Sequence, residues 1–363
     1  MSKRLFLAVG IVYFVATLYM AMTIPISPHE AESLYLKKSI DTFLMNLCYP
    51  YLEGFIAFRL PYYLFGVLNL FLFWELSRYY YKTSQERYIA TTLFILLPGI
   101  VTSMILVNIS VVVIAWVLIF LNAYHKNWSI VQSIALIVLL FVHDSAIVFF
   151  ISLAIYGYFR DKKYLLVVAL LLVMMALWMG EYLEIGGLPR GHFATIFGLY
   201  IAIFSPFVFV YFCYTLYRLY HEKKHDIVWY IASMGLLFSF LLSIRQQVIV
   251  TEFSPYILIG SIFLYRVYSE SLKVRLKIYQ TTYKKVFLFT LTTLLLGTMS
   301  IFLHRPLFWL FEDKSRHFAY AIYEPYWLAQ ALKAQNIHCY DTKFIKKAAQ
   351  LQYYEIPPCA SRN

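Results

Sequence analysis

Two short polar islands stand out from an otherwise apolar chain. The first, Ser27-Pro28-His29-Glu30-Ala31-Glu32, follows directly on the opening apolar run. Its carboxylates, Glu30 and Glu32, are of the type that takes a proton from an attacking hydroxyl. The second is His143-Asp144, in "LLFVHDSAIVFF"; polar groups set between apolar runs are costly, and are functional or paired. Arg245 with Gln246, and Arg59 as the alternative, are candidate phosphate ligands, because a guanidinium offers several planar donors. His29, Arg190 and His192 complete the set of ionisable groups expected on one membrane face, with Glu181 and Glu184 beside "IGGLPRGH".

Each group also has a plain structural reading. Ser27 to Glu30 matches the S-x-x-E spacing of a capping box, with Pro28 at the first helical position. Arg59 would snorkel to an interface, and Asp144 would cap the helix that follows it. His29 and its neighbouring carboxylates lack a metal-ligand spacing. No cofactor is expected, and nothing in the spacing supports a divalent metal.

The elements that must hold these residues are apolar helices. The 363 residues are 61% hydrophobic and only 14% charged, with a mean hydropathy of +0.67. An ordinary soluble domain carries roughly a quarter charged residues. Apolar windows predict about eleven spans, near 4–24, 55–77, 88–104, 106–124, 128–142, 144–159, 163–180, 193–217, 226–244, 247–267 and 286–304. The formal charge of +12 is concentrated between apolar runs, which the positive-inside bias explains without a nucleic-acid partner. That bias puts the N-terminus in the cytoplasm and both polar islands, Arg245 and the C-terminus outside an inner (plasma) membrane.

The expected fold is therefore an all-α polytopic membrane domain over 1–304, with its first outer loop at 25–54. A small extracytoplasmic α/β appendage is expected over 305–363, from the helix-like "EPYWLAQALKAQ", the extended "NIHCYD" and the helical "TKFIKKAAQLQYY". Cys339 and Cys359 lie in it, either as free thiols or as a bridge closing a loop of about 20 residues, worth roughly 3 kcal/mol.

The order of motifs resembles the GT-C membrane glycosyltransferases that use polyprenyl-phosphate-linked sugars, a group that includes protein O-mannosyltransferases and the aminoarabinose transferase of lipid A. "HEAESLY" stands where those proteins carry an acidic pair, "FRLPYYLFGVLNL" where an Arg-Leu-Pro motif opens the second span, and "LLPGIV" near the end of the third. "GHFATIFGLYIAIFSP", "FSPYILIGSIFLY" and the tail "LQYYEIPP" also resemble later parts of that group. His29 stands where the family pattern has Asp; Glu30 matches. The resemblance implies transfer of a sugar, with inversion, from a polyprenyl-phosphate donor to a lipid, glycan or protein acceptor. It also implies that Glu30, or Glu32, is the base and that the site lies beside membrane lipid. Two rival readings remain: a transporter or flippase for a lipid-linked glycan, and a non-catalytic relative in a glycan assembly complex.

Overall fold

The computed structural model describes residues 2–37, 39–179 and 191–359. Arg190, Glu181 and Glu184 lie outside the described residues. In chain order the helices are α1 (Lys3–Thr23), α2 (Pro28–Tyr35), α3 (Ile40–Cys48), α4 (Ile56–Leu76), α5 (Ser84–Ile95), α6 (Pro98–Ile105), α7 (Ser110–His125), α8 (Ser129–Val142), α9 (Ala146–Phe159) and α10 (Lys163–Trp178). They continue as α11 (Phe193–Phe204), α12 (Pro206–His221), α13 (Ile227–Ser243), α14 (Val250–Ile259), α15 (Ile262–Val274), α16 (Lys277–Phe302), α17 (His304–Leu307), α18 (Tyr320–Ala334) and α19 (Ile345–Tyr353).

The described residues are all-helical, and eleven full spans do not form among them. Among these residues, three helical stretches are long and apolar enough to cross a membrane: Lys3–Thr23, Ile56–Tyr79 and Lys277–Phe302. The count rises to five if the bent pairs α5–α6 (62°) and α11–α12 (101°) each form one span. The remaining apolar helices are shorter because the chain is stopped between them. At a rise of 1.5 Å per residue, a 14-residue helix reaches about 21 Å, short of a hydrocarbon layer of roughly 30 Å. Asn127 (φ 56°) and Asp161 (φ 52°) adopt the left-handed conformation just past α7 and α9. The next amides then fold back, Trp128 onto the Ala123 carbonyl at 2.9 Å and Lys162 onto Gly157 at 2.8 Å. This is a Schellman stop made without glycine. Lys223 and Asn336 end α12 and α18 in the same way, the following amides reaching Leu219 and Leu332. The second bend falls at Ser205, held at φ 79° immediately before Pro206.

The chain divides into two compact units. One comprises Met1–Gly10, Phe65–Val101 and Ser110–Thr298. Within it α9 and α10 form a hairpin so close that a Cβ on Gly157 would sit 2.8 Å from the Leu166 amide nitrogen. The other comprises Ile11–Leu64, Thr102–Ile109 and Met299–Asn363. There α19 packs on the α2 segment: the Gln350 side-chain amide donates to the Ile26 carbonyl at 2.8 Å, and the Tyr354 hydroxyl accepts from the Ile26 amide at 3.4 Å.

The expected α/β appendage is corrected to a purely helical one, since no strand occurs among the described residues. "NIHCYD" has no neighbouring strand to pair with; it is tethered by the Tyr340 amide on the Pro357 carbonyl and by the Cys359 amide on Asp341. The bridge between Cys339 and Cys359 is present. Both α1 (Ile11, Val12, Val15) and α16 (Leu288, Leu296) expose large apolar side chains, which water disfavours and lipid accepts.

Candidate functional site

The first polar island folds as its capping-box spacing predicts. Ser27 is the N-cap of α2: its hydroxyl accepts from the Glu30 amide, and the Glu30 carboxylate accepts from the Ser27 amide at 2.7 Å. Arg59, on the first turn of α4, then completes what sequence spacing alone conceals. Its Nε and Nη2 each donate to one oxygen of Glu30 at 2.7 Å, while the Val107 amide donates to Oε1 at 3.0 Å. The remaining guanidinium protons go to the carbonyls of Ala21, Ile24 and Pro25. Both side chains are fully buried.

Four donors therefore fill the two oxygens of Glu30, and none of its surface meets solvent. Burial alone would raise the Glu30 carboxyl; the Arg59 charge and hydrogen bonds, with the Ser27 and Val107 amides, outweigh it and hold the group below its ordinary value. A carboxylate so held has neither the access nor the basicity of a general base. Glu30, expected as the base, and Arg59, the alternative phosphate ligand, instead form a buried ion pair with each other. Arg59 does not snorkel either.

Glu32 is more accessible but also engaged. Its oxygens meet Lys37 at 3.0 Å and Lys346 of α19 at 2.7 Å. The Lys346 contact, joined by Lys37 and opposed by partial burial, lowers its carboxyl below the ordinary value. His29 is exposed beside this pair.

The second island is built differently. Between α8 and α9 the chain turns at His143, whose backbone is extended. The first amides of α9 are taken by backbone carbonyls: Ala146 by His143, Ile147 by Asp144 and Val148 by Ser145. The expected capping position thus falls to Ser145, whose side chain makes no cap bond. Instead the Ser145 amide donates to His143 Nδ1 at 3.1 Å. Because Nδ1 accepts, the neutral ring carries its proton on Nε2 and presents a donor there. The Ser145 hydroxyl lies 3.0 Å from the same nitrogen and 3.2 Å from the Tyr256 hydroxyl. Tyr256 is itself fully buried and stacked on Phe149 at 5.9 Å. The corner is held from beneath by α14.

Next to this corner opens a cavity of about 560 Å³, lined by His143, Asp144, Phe141, Ile151, Leu177, Phe238 and Leu242 among others. The size suits a small-molecule ligand, and the lining, almost wholly apolar with two convergent polar residues, is that of a binding pocket. Asp144 is exposed at it, and Glu252 in the first turn of α14 is electrostatically coupled to Asp144. Arg245 and Gln246 lie within one helical turn of the wall residue Leu242, their amides both donating to its carbonyl, at 3.0 and 2.9 Å. Arg245 is exposed and Gln246 partly so. His192 is the N-cap residue of α11, without a side-chain cap bond.

The structure thus gathers His143, Asp144, Arg245 and Gln246 within one unit, and Glu30, Glu32, His29 and Arg59 within the other. Ser145 and Tyr256 carry no sequence signal of their positioning role; their partners lie on separate helices. No group of three or more His, Cys, Asp or Glu residues suited to a metal occurs among the described residues. Comparison with protein-family models, with curated proteins and with solved structures finds no match to this chain.

Proposed function

We propose that this chain is a membrane glycosyltransferase that takes its sugar from a polyprenyl-phosphate donor on the outer face of a plasma membrane. The observation that supports this reading is the apolar cavity ending at His143 and Asp144. A prenyl chain needs an apolar slot, a phosphate needs donors at its mouth, and an acceptor hydroxyl needs an accessible carboxylate. In this reading the prenyl segment fills the cavity. His143 Nε2 and the Arg245 guanidinium meet the phosphate, and Asp144 is the base.

The chemistry then balances in one displacement. Asp144 takes the proton of an acceptor hydroxyl as that oxygen bonds to the anomeric carbon. The bond from that carbon to the phosphate oxygen breaks, and its electron pair leaves with the polyprenyl phosphate. The anomeric configuration inverts. General-base help of this kind contributes about 10²- to 10⁴-fold, and donors at the departing phosphate stabilise charge in a partly dehydrated site. Which sugar moves, and whether to a lipid, a glycan or a protein, is set by surfaces beyond these residues.

The test is transfer by the purified protein in lipid nanodiscs, from polyprenyl-phosphate-linked sugars to surface glycan and lipid acceptors. Ala176→Phe, which fills the cavity wall, raises the donor KM, and Arg245→Ala does the same. Movement of intact donor across a liposome membrane with no transfer product would replace the transferase by a flippase. Donor binding with neither transfer nor movement would leave a non-catalytic lipid-binding relative.

A further inference from the structure

The end of α15, the turn after it and the first turns of α16 carry five exposed cations, Lys273, Arg275, Lys277, Lys284 and Lys285. No Asp or Glu stands anywhere between Glu270 and Glu312, and among the described residues none of the five forms an ion pair. Cations nearby behave otherwise. Arg218 is paired with Glu222 at 2.6 Å, Lys224 with Glu270 at 2.8 Å and Arg266 with Glu270 at 3.1 Å. The segment Lys273–Lys285 thus gathers five cations without an ion pair into one short stretch.

Between the cations this segment exposes apolar side chains: Val274 is 79% exposed, Leu276 72% and Ile278 78%. The segment Lys-Val-Arg-Leu-Lys-Ile alternates charge with hydrocarbon, and it is held in shape. The Gln280 side-chain amide donates to the carbonyls of Leu272 (3.3 Å) and Arg275 (3.0 Å), and the Arg275 guanidinium sits 4.1 Å over the Tyr283 ring. A disordered basic tail would have to be ordered on binding; this one is already formed. It also sits where α16, one of the three helices able to cross a membrane alone, would enter the bilayer.

We infer that the segment Lys273–Lys285 is a binding surface for the headgroups of anionic phospholipids, the cations meeting lipid phosphates while Val274, Leu276 and Ile278 enter the headgroup–acyl boundary. Clustered basic residues beside a membrane helix attract anionic lipid with an affinity gain of about five-fold per cation, weakened by salt. The inference is independent of glycosyl transfer.

The experiment titrates the detergent-solubilised full chain with phosphatidylglycerol and with phosphatidylcholine, reading bound lipid by native mass spectrometry and the thermal midpoint in parallel. Two variants of equal charge are compared. One replaces Lys273, Lys277, Lys284 and Lys285 by Gln; the other replaces Lys82, Lys162, Lys163 and Lys223, exposed on other turns, by Gln. The expected result is preference for phosphatidylglycerol, reduced by salt and weakened at least ten-fold in the first variant only. Circular dichroism would confirm unchanged folding. Equal weakening in both variants would reduce the effect to net charge. Equal binding of the two lipids, or full competition by inorganic phosphate, would overturn the site.

Discussion

The cluster around Glu30 and the corner at His143-Asp144 are the same kind of object in sequence, a carboxylate beside a histidine at the end of an apolar run. They fold to opposite ends. Every lone pair and proton of the Glu30–Arg59 pair is spoken for within the protein, whereas Asp144 stays exposed at a cavity. A polar group among apolar helices is costly in either place. The difference lies in access: the Glu30–Arg59 pair is fully buried, while Asp144 is exposed beside a cavity. Burial around a carboxylate therefore separates a closed pair from an accessible group, where residue type and spacing do not.

Removing one partner from each cluster gives the largest contrast. Arg59→Ala strands the Glu30 charge in a fully buried site, and breaking a buried pair in this way costs about 3–5 kcal/mol. Folded yield and the thermal midpoint should collapse. Asp144→Asn, at an exposed position, should cost far less stability than Arg59→Ala while transfer falls about 10²-fold or more. The reverse pattern, a stable but inactive Arg59→Ala and an unfolded Asp144→Asn, would exchange the roles of the two clusters.

A smaller effect is expected at the hairpin that walls the cavity. Both α9 and α10 line it, and they meet where Gly157 faces the Leu166 backbone. Gly157→Ala puts a methyl against backbone that cannot swing aside, so overpacking of about 1–3 kcal/mol is expected. Because the hairpin moves, donor affinity should weaken with stability. A loss of stability with unchanged donor binding would detach the cavity from the site.

Much of this was visible beforehand, but unevenly. The Ser27–Glu30 capping box follows from local spacing, whereas Cys339 and Cys359 left a bridge and free thiols equally open, and the structure forms the bridge. Arg59 lies 29 positions from Glu30, and the Val107 amide that completes the carboxylate comes from a third segment; no local pattern encodes such a meeting. The number of spans was overstated because hydropathy registers an apolar run and not where it stops. Asn127 and Asp161 stop helices through left-handed backbone, a role that glycine usually signals. The cavity was invisible for a simpler reason. Phe141, Ile151, Leu177 and Phe238 are ordinary core residues by type, and only their failure to fill the space between helices makes a pocket.

Acid acts on two buried groups of the same unit in different pH ranges. Glu30 is held below its ordinary value, so its stabilising contribution is complete above the unfolded carboxyl value of about 4.3 and is lost as pH falls through the lower folded value. His304, at the start of α17, is lowered as well, but from a different cause: burial, reinforced by Arg305 against the Ile301 carbonyl, disfavours its charged ring. Its Nδ1 donates to Ile301 and its Nε2 accepts from Tyr323 at 2.8 Å, so a second ring proton would oppose the Tyr323 hydroxyl. Stability is therefore expected to decline first as pH drops below about 6.5, through His304, and again below about 4. In His304→Asn the earlier decline should disappear in equilibrium unfolding, and the later one should persist.

Glu32 gives the smallest expected effect and bears most directly on the comparison. It is the only carboxylate of the first island with solvent within reach, yet it is paired to Lys37 and Lys346, whose side chains are 67% and 59% exposed. Exposed pairs of this kind contribute about 0–1 kcal/mol, because water and salt screen them. Glu32→Gln should therefore shift stability by less than about 1 kcal/mol and leave transfer within roughly two-fold, since its lysine contacts keep it a weak base. A hundred-fold fall in kcat with an intact fold would return the base to the first loop. Asp144 would then lose its assignment, and the distinction drawn from burial would hold for Glu30 but not for its neighbour two residues along the helix.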